Sequence, residues 1–342
     1  MPRNIYGLDL GTHEIKVYDK KNESLWKEKN VIALKEKDKL VAIGNKAYEM
    51  YRKVPTTVRV VFPMQKGAIA HFDNMQHLLS TLINNEGRFK RGSEYLVAVP
   101  TDVTEIEKRA FYDLVINSPS KAKSVRIVER SVADAIGASV DIFDTKGAMI
   151  VNMGGSTTEL SVLLFGGLVV NRLLKIGGED FDLSIANLMR RTHDVLIGHS
   201  AAEHLRKEFG VSSIESEVET TVNGKDLLTG LPRKVEVSGS LVGMAIREPL
   251  HEIVKAIKAM IDRTPADVQL EIYKSGLHLV GGLARIDGIS DYIKSYINLP
   301  IHIVEEPELS TVRGLEKIII HRRQYRKFTY SMLDEDYRWL RN

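Results

Sequence analysis

Two short glycine-containing segments have residue types suited to binding phosphate groups. The first is GLDLGT at residues 7–12, and the second is VNMGGSTTE at residues 151–159. Each follows an apolar, β-branched stretch and precedes another, a pattern that predicts a strand, a tight turn and a second strand. Glycine lets backbone N–H groups come close to a ligand, and threonine adds a hydroxyl. Either segment alone is also typical of an ordinary hairpin, but the pair predicts two turns that grip a polyphosphate from both sides.

The composition indicates a soluble globular protein with enough residues for two domains. The chain has 342 residues, of which 43% are hydrophobic and 27% are charged. Its 48 basic and 45 acidic residues leave a net charge of only +3, so the composition gives no indication of nucleic-acid binding. The absence of cysteine excludes disulfides and thiolate chemistry. Because no apolar run is long enough to span a bilayer, the sequence predicts a cytoplasmic protein that can still lie on a membrane.

Strand-like and helix-like segments alternate along the chain, which favours an α/β fold. The strand-turn-strand pattern of the N-terminus restarts near Gly147, so we expect a domain division there and a duplication of one α/β unit. Residues 184–209 predict a charged helix, and residues 218–237 predict a β-hairpin. The segment beyond Ile320 is basic and aromatic. The sequence leaves open whether this segment packs on its own domain or contacts lipid, a neighbouring subunit or a partner.

Three further segments carry a resemblance to a known family. They are TTVNGKDL and TGLPR within residues 220–233, RTP at residues 263–265 with GLHLVGG at residues 276–282, and EEP at residues 305–307 followed by Gly314. Together with the two glycine turns, they make residues 3–320 resemble the actin, sugar-kinase and heat-shock-ATPase superfamily and, within it, the MreB family of bacterial actins. The resemblance implies an actin-like α/β fold, in which two duplicated ribonuclease H-like domains, each with a smaller inserted subdomain, surround a nucleotide cleft.

The resemblance also implies subdomain bounds and a function. Subdomain IA is expected at residues 1–31, 66–145 and 310–342, IB at 32–65, IIA at 146–180 and 240–309, and IIB at 181–239. The implied function is assembly, with ATP and Mg²⁺, into filaments on the inner face of the cytoplasmic membrane that organise the cell-wall synthesis machinery and so set rod shape. Two alternatives stay open: a non-polymerising or co-polymerising, nucleotide-locked paralogue that regulates another MreB, and a small-molecule kinase of the same superfamily.

The resemblance assigns individual residues to a nucleotide site. Asp9 and Asn152 would hold Mg²⁺ through water, because Mg²⁺ favours oxygen ligands and keeps several waters. The residues implied to contact phosphate are Gly11, Thr12, His13, Lys16, Gly154, Gly155, Ser156 and Thr157, and those implied to contact ribose or adenine are Glu203, Arg206, Gly281, Gly282 and Leu283. Ser156 and Leu283 stand where the family commonly has a third glycine. Without the resemblance, Lys16 is almost as well explained as a solvated strand lysine, and Glu203 with Arg206 as a surface ion pair.

Two positions that the family uses for ATP hydrolysis differ in this chain. An Asp usually opens the second turn, where this chain has Asn152, and a Glu before a Pro usually positions the attacking water, where it has Arg130 before Ser131. Arginine cannot accept a proton, although it can lie beside phosphate as a cation. We therefore expect weak or absent hydrolysis, unless the neighbouring Glu129 takes over the positioning of the water. Whether the protein is an enzyme stays open.

A basic loop stands where the family has an apolar membrane-insertion loop. Its aromatic side chain, Phe89, lies among Arg88, Lys90 and Arg91. Each cation near anionic lipid contributes about 1 kcal/mol, so the loop predicts a weak anchor that acts through many copies in a filament. The alternative is a solvated basic loop.

Overall fold

The computed structural model describes residues 4–35, 38–51, 53, 57–84, 91–215 and 217–333. The chain divides into two compact units. Unit 1 comprises Met1–Thr145, Leu163–Leu173 and Leu309–Asn342, and unit 2 comprises Lys146–Val162 and Leu174–Glu308. Within the described parts of the chain, no helix is long and apolar enough to cross a bilayer. The bounds expected for the four subdomains stay a prediction.

Strands and helices alternate through both units, as the α/β pattern predicts. The strands are β1 (Ile5–Leu10), β2 (Glu14–Asp19), β3 (Ser24–Lys29), β4 (Ile32–Lys35), β5 (Lys39–Ile43), β6 (Val58–Val61), β7 (Met64–Gln65), β8 (Ala68–Ile69), β9 (Glu94–Val99), β10 (Ser124–Glu129), β11 (Ala148–Met153), β12 (Thr158–Leu164), β13 (Gly167–Leu174), β14 (Val195–Ile197), β15 (Glu219–Asp226), β16 (Pro232–Ser238), β17 (Leu277–Val280) and β18 (Ile301–Ile303). The helices are α1 (Gly44–Met50), α2 (Phe72–Asn84), α3 (Glu105–Ile116), α4 (Arg130–Gly137), α5 (Gly178–His193), α6 (His199–Glu208), α7 (Gly239–Arg263), α8 (Ala266–Ser275), α9 (Ile289–Lys294) and α10 (Ser310–Ile320).

Unit 1 is built on a mixed five-stranded sheet with the strand order β10-β9-β1-β2-β3. The central strand, β1, pairs in parallel with β9 and antiparallel with β2. All six residues of β1 are buried, as expected for a strand that is covered on both faces. The antiparallel register places Asp9 opposite Lys16, so the N-terminal hairpin brings these two residues side by side.

Helices α4 and α10 of unit 1 approach each other closely, and two glycines make the approach possible. A Cβ atom on Gly137 would lie 1.9 Å from the carbonyl oxygen of Ser310, and one on Gly314 would lie 1.9 Å from that of Ala133. Each helix therefore presents a glycine to the backbone of the other. Helix α4 begins at Arg130 and Ser131, the residues that differ from the family's hydrolysis motif. Its packing on α10 therefore helps to fix the position of these two residues.

A smaller sheet, with the order β5-β4-β6, also belongs to unit 1. Helix α1 contacts all three of its strands. A separate small core of Val31, Ala33 and Ala47 lies beneath that helix.

The second five-stranded sheet has the order β13-β12-β11-β17-β18. In unit 2, β11 pairs in parallel with β17, and this register places Asn152 opposite Val280. β17 in turn pairs in parallel with β18. A three-stranded sheet has the order β14-β15-β16, with β14 before α6 in the chain and the other two strands after it. The 25-residue helix α7 begins where β16 ends.

The structure confirms one sequence-based expectation for unit 2 and corrects another. The hairpin predicted for residues 218–237 is present as β15 and β16, which pair antiparallel. The single helix predicted for residues 184–209 is wrong, because α5 ends at His193 and β14 intervenes before α6. Asp194, the C-cap of α5, has a left-handed φ of 53°, a conformation that ends a helix.

The described part of the basic aromatic C-terminus packs on unit 1. Tyr330 forms an isolated antiparallel bridge with Ile127 of β10, through backbone hydrogen bonds of 2.7 and 3.0 Å. Arg126 donates hydrogen bonds to the hydroxyl and the carbonyl of Thr329. Of the alternatives that the sequence left open, the structure therefore shows residues 321–333 packed on their own domain.

Candidate nucleotide site

The first glycine turn joins β1 to β2 and is closed by backbone contacts. The N–H of Gly11 donates to the carbonyl of Glu14 at 3.0 Å, and a Cβ atom on Gly11 would lie 2.7 Å from that oxygen. The side chain of Asn30 donates to the carbonyl of Gly11 at 2.8 Å. Thr12 and His13 follow at the tip of the turn. The predicted strand-turn-strand is confirmed, and the close approach of the chain explains the glycine.

Asp9, at the end of β1, has two cationic neighbours. The Arg130 Nε lies 3.6 Å from one carboxylate oxygen, and the Lys16 Nζ lies 3.8 Å from the other. The Lys16 side chain is 12% exposed, so it is not a solvated strand lysine. The structure thus brings together three residues that the sequence singled out for metal binding, phosphate binding and hydrolysis.

Arg130 opens α4 and turns toward β1. Its Nη2 donates a long hydrogen bond of 3.4 Å to the carbonyl of Leu10. Ser131, which replaces the family's proline, supplies an N–H that a proline lacks, and this N–H donates to the hydroxyl of Thr101 at 3.4 Å. The hydroxyls of Ser131 and Thr101 are also 2.9 Å apart. The two substituted positions are therefore anchored locally.

Glu129 ends β10 and has partners different from those of Arg130. Its Oε1 accepts hydrogen bonds from the Lys108 ammonium at 2.6 Å and from the Tyr330 hydroxyl at 2.8 Å. Lys108 is only 1% exposed. Sequence reasoning missed both partners, although a signal for Lys108 exists, because it stands three residues before the buried Phe111 on α3. A lysine on the apolar face of a helix needs a buried acidic partner.

The second glycine turn joins β11 to β12, and the start of α5 packs on it. The N–H of Gly154 donates to the carbonyl of Thr157 at 2.8 Å, and the N–H of Gly178 donates to the carbonyl of Gly154 at 3.1 Å. A Cβ atom on Gly177 would lie 2.5 Å from the backbone nitrogen of Thr157. Ser156 has no positive φ. The turn therefore accepts a serine where the family commonly has glycine.

Asn152 and Gly281 lie against each other in unit 2. Gly281 has a left-handed φ of 87°, and a Cβ atom there would lie 2.5 Å from the Asn152 Oδ1 and 2.4 Å from the carbonyl oxygen of Met153. The N–H of Gly281 donates to the carbonyl of Pro307 at 2.8 Å. Only glycine satisfies both the backbone conformation and the close approach at this position.

Arg206 on α6 is fixed by an acidic residue that the sequence analysis did not single out. Its Nε donates to the Asp182 Oδ1 at 2.6 Å, and Asp182 is only 3% exposed. Burial raises the pKa of the Asp182 carboxyl above its usual value, against the opposing effect of the hydrogen bond from Arg206. Glu203, one turn earlier, accepts a hydrogen bond from Lys207 at 2.7 Å. Arg206 is thus held by a buried partner rather than at the solvent surface.

Three of the residues expected around the ribose and adenine, Arg206, Gly281 and Leu283, lie close to the second turn. A Cβ atom on Gly178 would lie 3.6 Å from the Arg206 Nη2 and 3.6 Å from the Leu283 Cδ2. Gly178 itself hydrogen-bonds to Gly154. At Gly282 a Cβ atom would meet nothing within 4 Å. The second turn, Arg206 and Leu283 therefore form one neighbourhood within unit 2.

The predicted membrane loop falls mainly outside the described residues. Arg88, Phe89 and Lys90 are among the residues not described, whereas Arg91 is exposed ahead of β9. The weak lipid anchor therefore stays a prediction.

Known proteins match this chain over most of its length. The profile of the family described as MreB/Mbl protein matches residues 3–327. The chain belongs to the MreB/Mbl family. It is 31% identical over 306 residues to the cell shape-determining protein Mbl of Bacillus subtilis, covering 88% of this chain and 91% of that protein. It is also 31% identical over 333 residues to the cell shape-determining protein MreB of Escherichia coli, covering 93% of this chain and 95% of that protein.

Solved structures extend the similarity of this MreB/Mbl family member to three dimensions. MreB5 of Spiroplasma citri bound to AMPPNP matches with a TM-score of 0.89 and 26% identity, covering 96% of this chain and 99% of that one. The same protein bound to ADP matches with a TM-score of 0.88 and 27% identity, covering 95% and 98%. A MamK double helical filament matches with a TM-score of 0.77 at 17% identity, covering 93% and 99%, which shows the fold alone. The predicted family and actin-like fold are confirmed.

Proposed function

We propose that this MreB/Mbl family member binds ATP and assembles into filaments on the inner face of the cytoplasmic membrane, with weak or absent ATP hydrolysis. These filaments would organise the cell-wall synthesis machinery and set rod shape. One observation carries the proposal: Arg130 lies against Asp9, whereas Glu129 is held by Lys108 and Tyr330. The names of the Bacillus and Escherichia relatives, which are cell shape-determining proteins, support the cellular role.

Nucleotide binding is supported by the geometry of the two turns and by the solved relatives. Hydrogen bonds from the Gly11 and Gly154 N–H groups close the two turns, so these residues would approach phosphate without donating to it. MreB5 of Spiroplasma citri has been crystallised with AMPPNP and with ADP. The residues proposed to contact phosphate are Gly11, Thr12, His13, Lys16, Gly154, Gly155, Ser156 and Thr157. The residues proposed to contact ribose and adenine are Glu203, Arg206, Gly281, Gly282 and Leu283.

Weak hydrolysis follows from the side chains at the position that orients water in the family. Phosphoryl transfer depends mainly on positioning and on charge stabilisation. Arg130 cannot accept a proton from water. Rescue by Glu129 would leave the buried Lys108 without its acidic partner, and breaking a buried ion pair costs about 3–5 kcal/mol. We therefore propose that the protein keeps its bound triphosphate far longer than a hydrolysing relative.

The donor set does not fit the Mg²⁺ site that the resemblance implies. The Asp9 carboxylate is already faced by two cations, and Asn152 offers a neutral amide that packs on Gly281. Among the residues that the structure describes, no group of three or more acidic or histidine side chains could hold a metal ion. When bound, Mg²⁺ would neutralise phosphate charge, but these side chains offer it little negative charge.

Assembly and membrane association rest on the family. The MamK relative has been solved as a double helical filament. On the membrane, the proposed contacts are Arg88, Phe89, Lys90 and Arg91. The corresponding test is co-sedimentation with anionic and with neutral lipid vesicles, below and above the concentration at which the protein pellets alone. Binding to anionic vesicles only above that concentration would support an anchor that acts through many copies.

The nucleotide content of pelleted protein tests the central proposal. Purified protein incubated with ATP would be pelleted, and the bound nucleotide extracted and separated by chromatography. A pellet that contains ATP after hours supports a filament with little hydrolysis. A pellet that contains mainly ADP refutes weak hydrolysis, and no pellet refutes self-assembly.

The paralogue alternative is tested in the same assay. A second, hydrolysing MreB would be added to the protein. The two concentrations would be chosen so that neither protein carries the other into the pellet non-specifically. If this chain pellets only in the mixture, it acts as a nucleotide-locked partner of another MreB. If it pellets alone, it forms filaments itself.

A further inference from the structure

Asp9 lies within a cluster of charged side chains in unit 1 that carries excess positive charge. Arg130 and Lys16 contact its two carboxylate oxygens at 3.6 and 3.8 Å. Glu14 lies 4.0 Å from Lys16 but is also paired with Lys29 at 2.8 Å. These ion pairs within 4 Å join three cations, Arg130, Lys16 and Lys29, to the carboxylates of Asp9 and Glu14. The Asp9, Arg130 and Lys16 side chains are 7%, 10% and 12% exposed, so water screens their charges only partly.

The substitutions relative to the family change the charge in the same direction. The resemblance implies Asp at position 152 and Glu at position 130, in addition to Asp9. This chain has Arg130, which raises the formal charge beside Asp9 in unit 1 by two, and Asn152, which raises the formal charge of the second turn in unit 2 by one. A cation that approached Asp9 would be repelled by Arg130 and Lys16, whereas a polyphosphate would be attracted by both.

We propose that this protein binds nucleoside triphosphate without requiring a divalent cation, because Arg130 and Lys16 supply the positive charge. The inference rests on the proposed nucleotide binding. A guanidinium can donate two parallel hydrogen bonds to phosphate oxygens, and its charge does not depend on pH in the physiological range. Lys16 adds an ammonium on the neighbouring strand, opposite Asp9 in the β1–β2 register. Phosphate oxygens would then take over some of the contacts that Arg130 and Lys16 make with the Asp9 carboxylate.

Titration with a fluorescent methylanthraniloyl derivative of ATP tests this inference. The Kd would be measured at equal ionic strength in MgCl₂ and in EDTA, for the natural chain, for Arg130→Gln and for Arg109→Gln. Arg109 is an exposed cation of the same unit, paired with Asp113 on α3, so its variant controls for the loss of one positive charge. Circular dichroism would confirm that each variant is folded.

The Kd of the natural chain is expected to differ less than about fivefold between the two buffers. In EDTA, Arg130→Gln should bind more than about tenfold more weakly than the natural chain, because it removes a partly buried cation that pairs with the phosphate. Arg109→Gln should behave like the natural chain. A natural chain that weakens more than about fivefold in EDTA would overturn the inference, and so would an Arg130→Gln variant as insensitive to EDTA as the natural chain. Absence of binding in both buffers would instead refute nucleotide binding, and the inference with it.

Discussion

The two glycine turns of this protein resemble each other in backbone and differ in the side chains around them. The second turn is held by backbone contacts with α5, and its local substitution, Ser156, fits without a strained φ. The first turn keeps its closing hydrogen bond, but Arg130 and Lys16 lie on Asp9. Backbone N–H groups that a turn leaves available can bind phosphate with little dependence on side-chain type, whereas hydrolysis depends on particular side chains. This difference supports the proposal that nucleotide binding persists while hydrolysis is weak or absent.

The largest expected loss of stability comes from breaking the ion pair between Lys108 and Glu129, next to Arg130. Lys108→Met should lower the unfolding free energy by about 3–5 kcal/mol, because it leaves the Glu129 carboxylate without its buried cation. Urea unfolding would measure the change. Arg109→Met, at the next and exposed position, should cost less than about 1 kcal/mol. The double variant Lys108→Met with Glu129→Gln should recover much of the loss. If Lys108→Met is as stable as Arg109→Met, Glu129 is not held in the way described.

The next largest loss of stability is expected where Gly281 packs against the second turn. Gly281→Ala should lower the unfolding free energy by about 3 kcal/mol, because alanine must adopt a left-handed φ and meets the carbonyl of Met153. The adjacent Gly282→Ala is a matched control, since nothing lies within 4 Å of its Cβ position. Thermal or urea unfolding of both variants tests the difference. Equal stabilities would contradict the close packing of Gly281 on Asn152 and Met153.

A smaller effect is expected on the pH dependence of the unfolding free energy, and it arises from His278 in unit 2. Burial lowers the pKa of His278 to about 4, and the neighbouring His302 adds to the shift. The unfolded chain takes up this proton near pH 6.5 and the folded chain only near pH 4, so the unfolding free energy falls as the pH is lowered between these values. The expected loss is about 2–3 kcal/mol. His278→Gln should remove this part of the slope in urea titrations at several pH values. An unchanged slope would show that another group causes it.

Local patterns were enough to predict the two hairpins and their glycines. Apolar, β-branched stretches on both sides of residues 7–12 and 151–159 predicted strands, and the structure has β1 with β2 and β11 with β12 at these places. β14 was missed because its three residues are too few for a period-2 pattern to stand out. The sequence therefore predicted long elements better than short ones.

The environment of the candidate site could not be predicted from local patterns. Glu129 is held by Lys108 and Tyr330, which are 21 and 201 residues away along the chain. Arg206 is held by Asp182, 24 residues away. None of these three sequence separations corresponds to the short repeat of a helix or a strand. The contact of Arg130 with Asp9 was equally invisible, since the resemblance gave a position for Arg130 but no partner.

Steady-state phosphate release tests the central claim most directly. It would be measured for the natural chain and for the double variant Asn152→Asp with Arg130→Glu, at a protein concentration that pellets filaments and with Mg²⁺ and ATP present. We expect the natural chain to pellet with almost no phosphate release and the double variant to release phosphate about a hundredfold faster or more. Equal rates, with the natural chain hydrolysing ATP as fast as the variant, would contradict this expectation and would show that another residue positions the water.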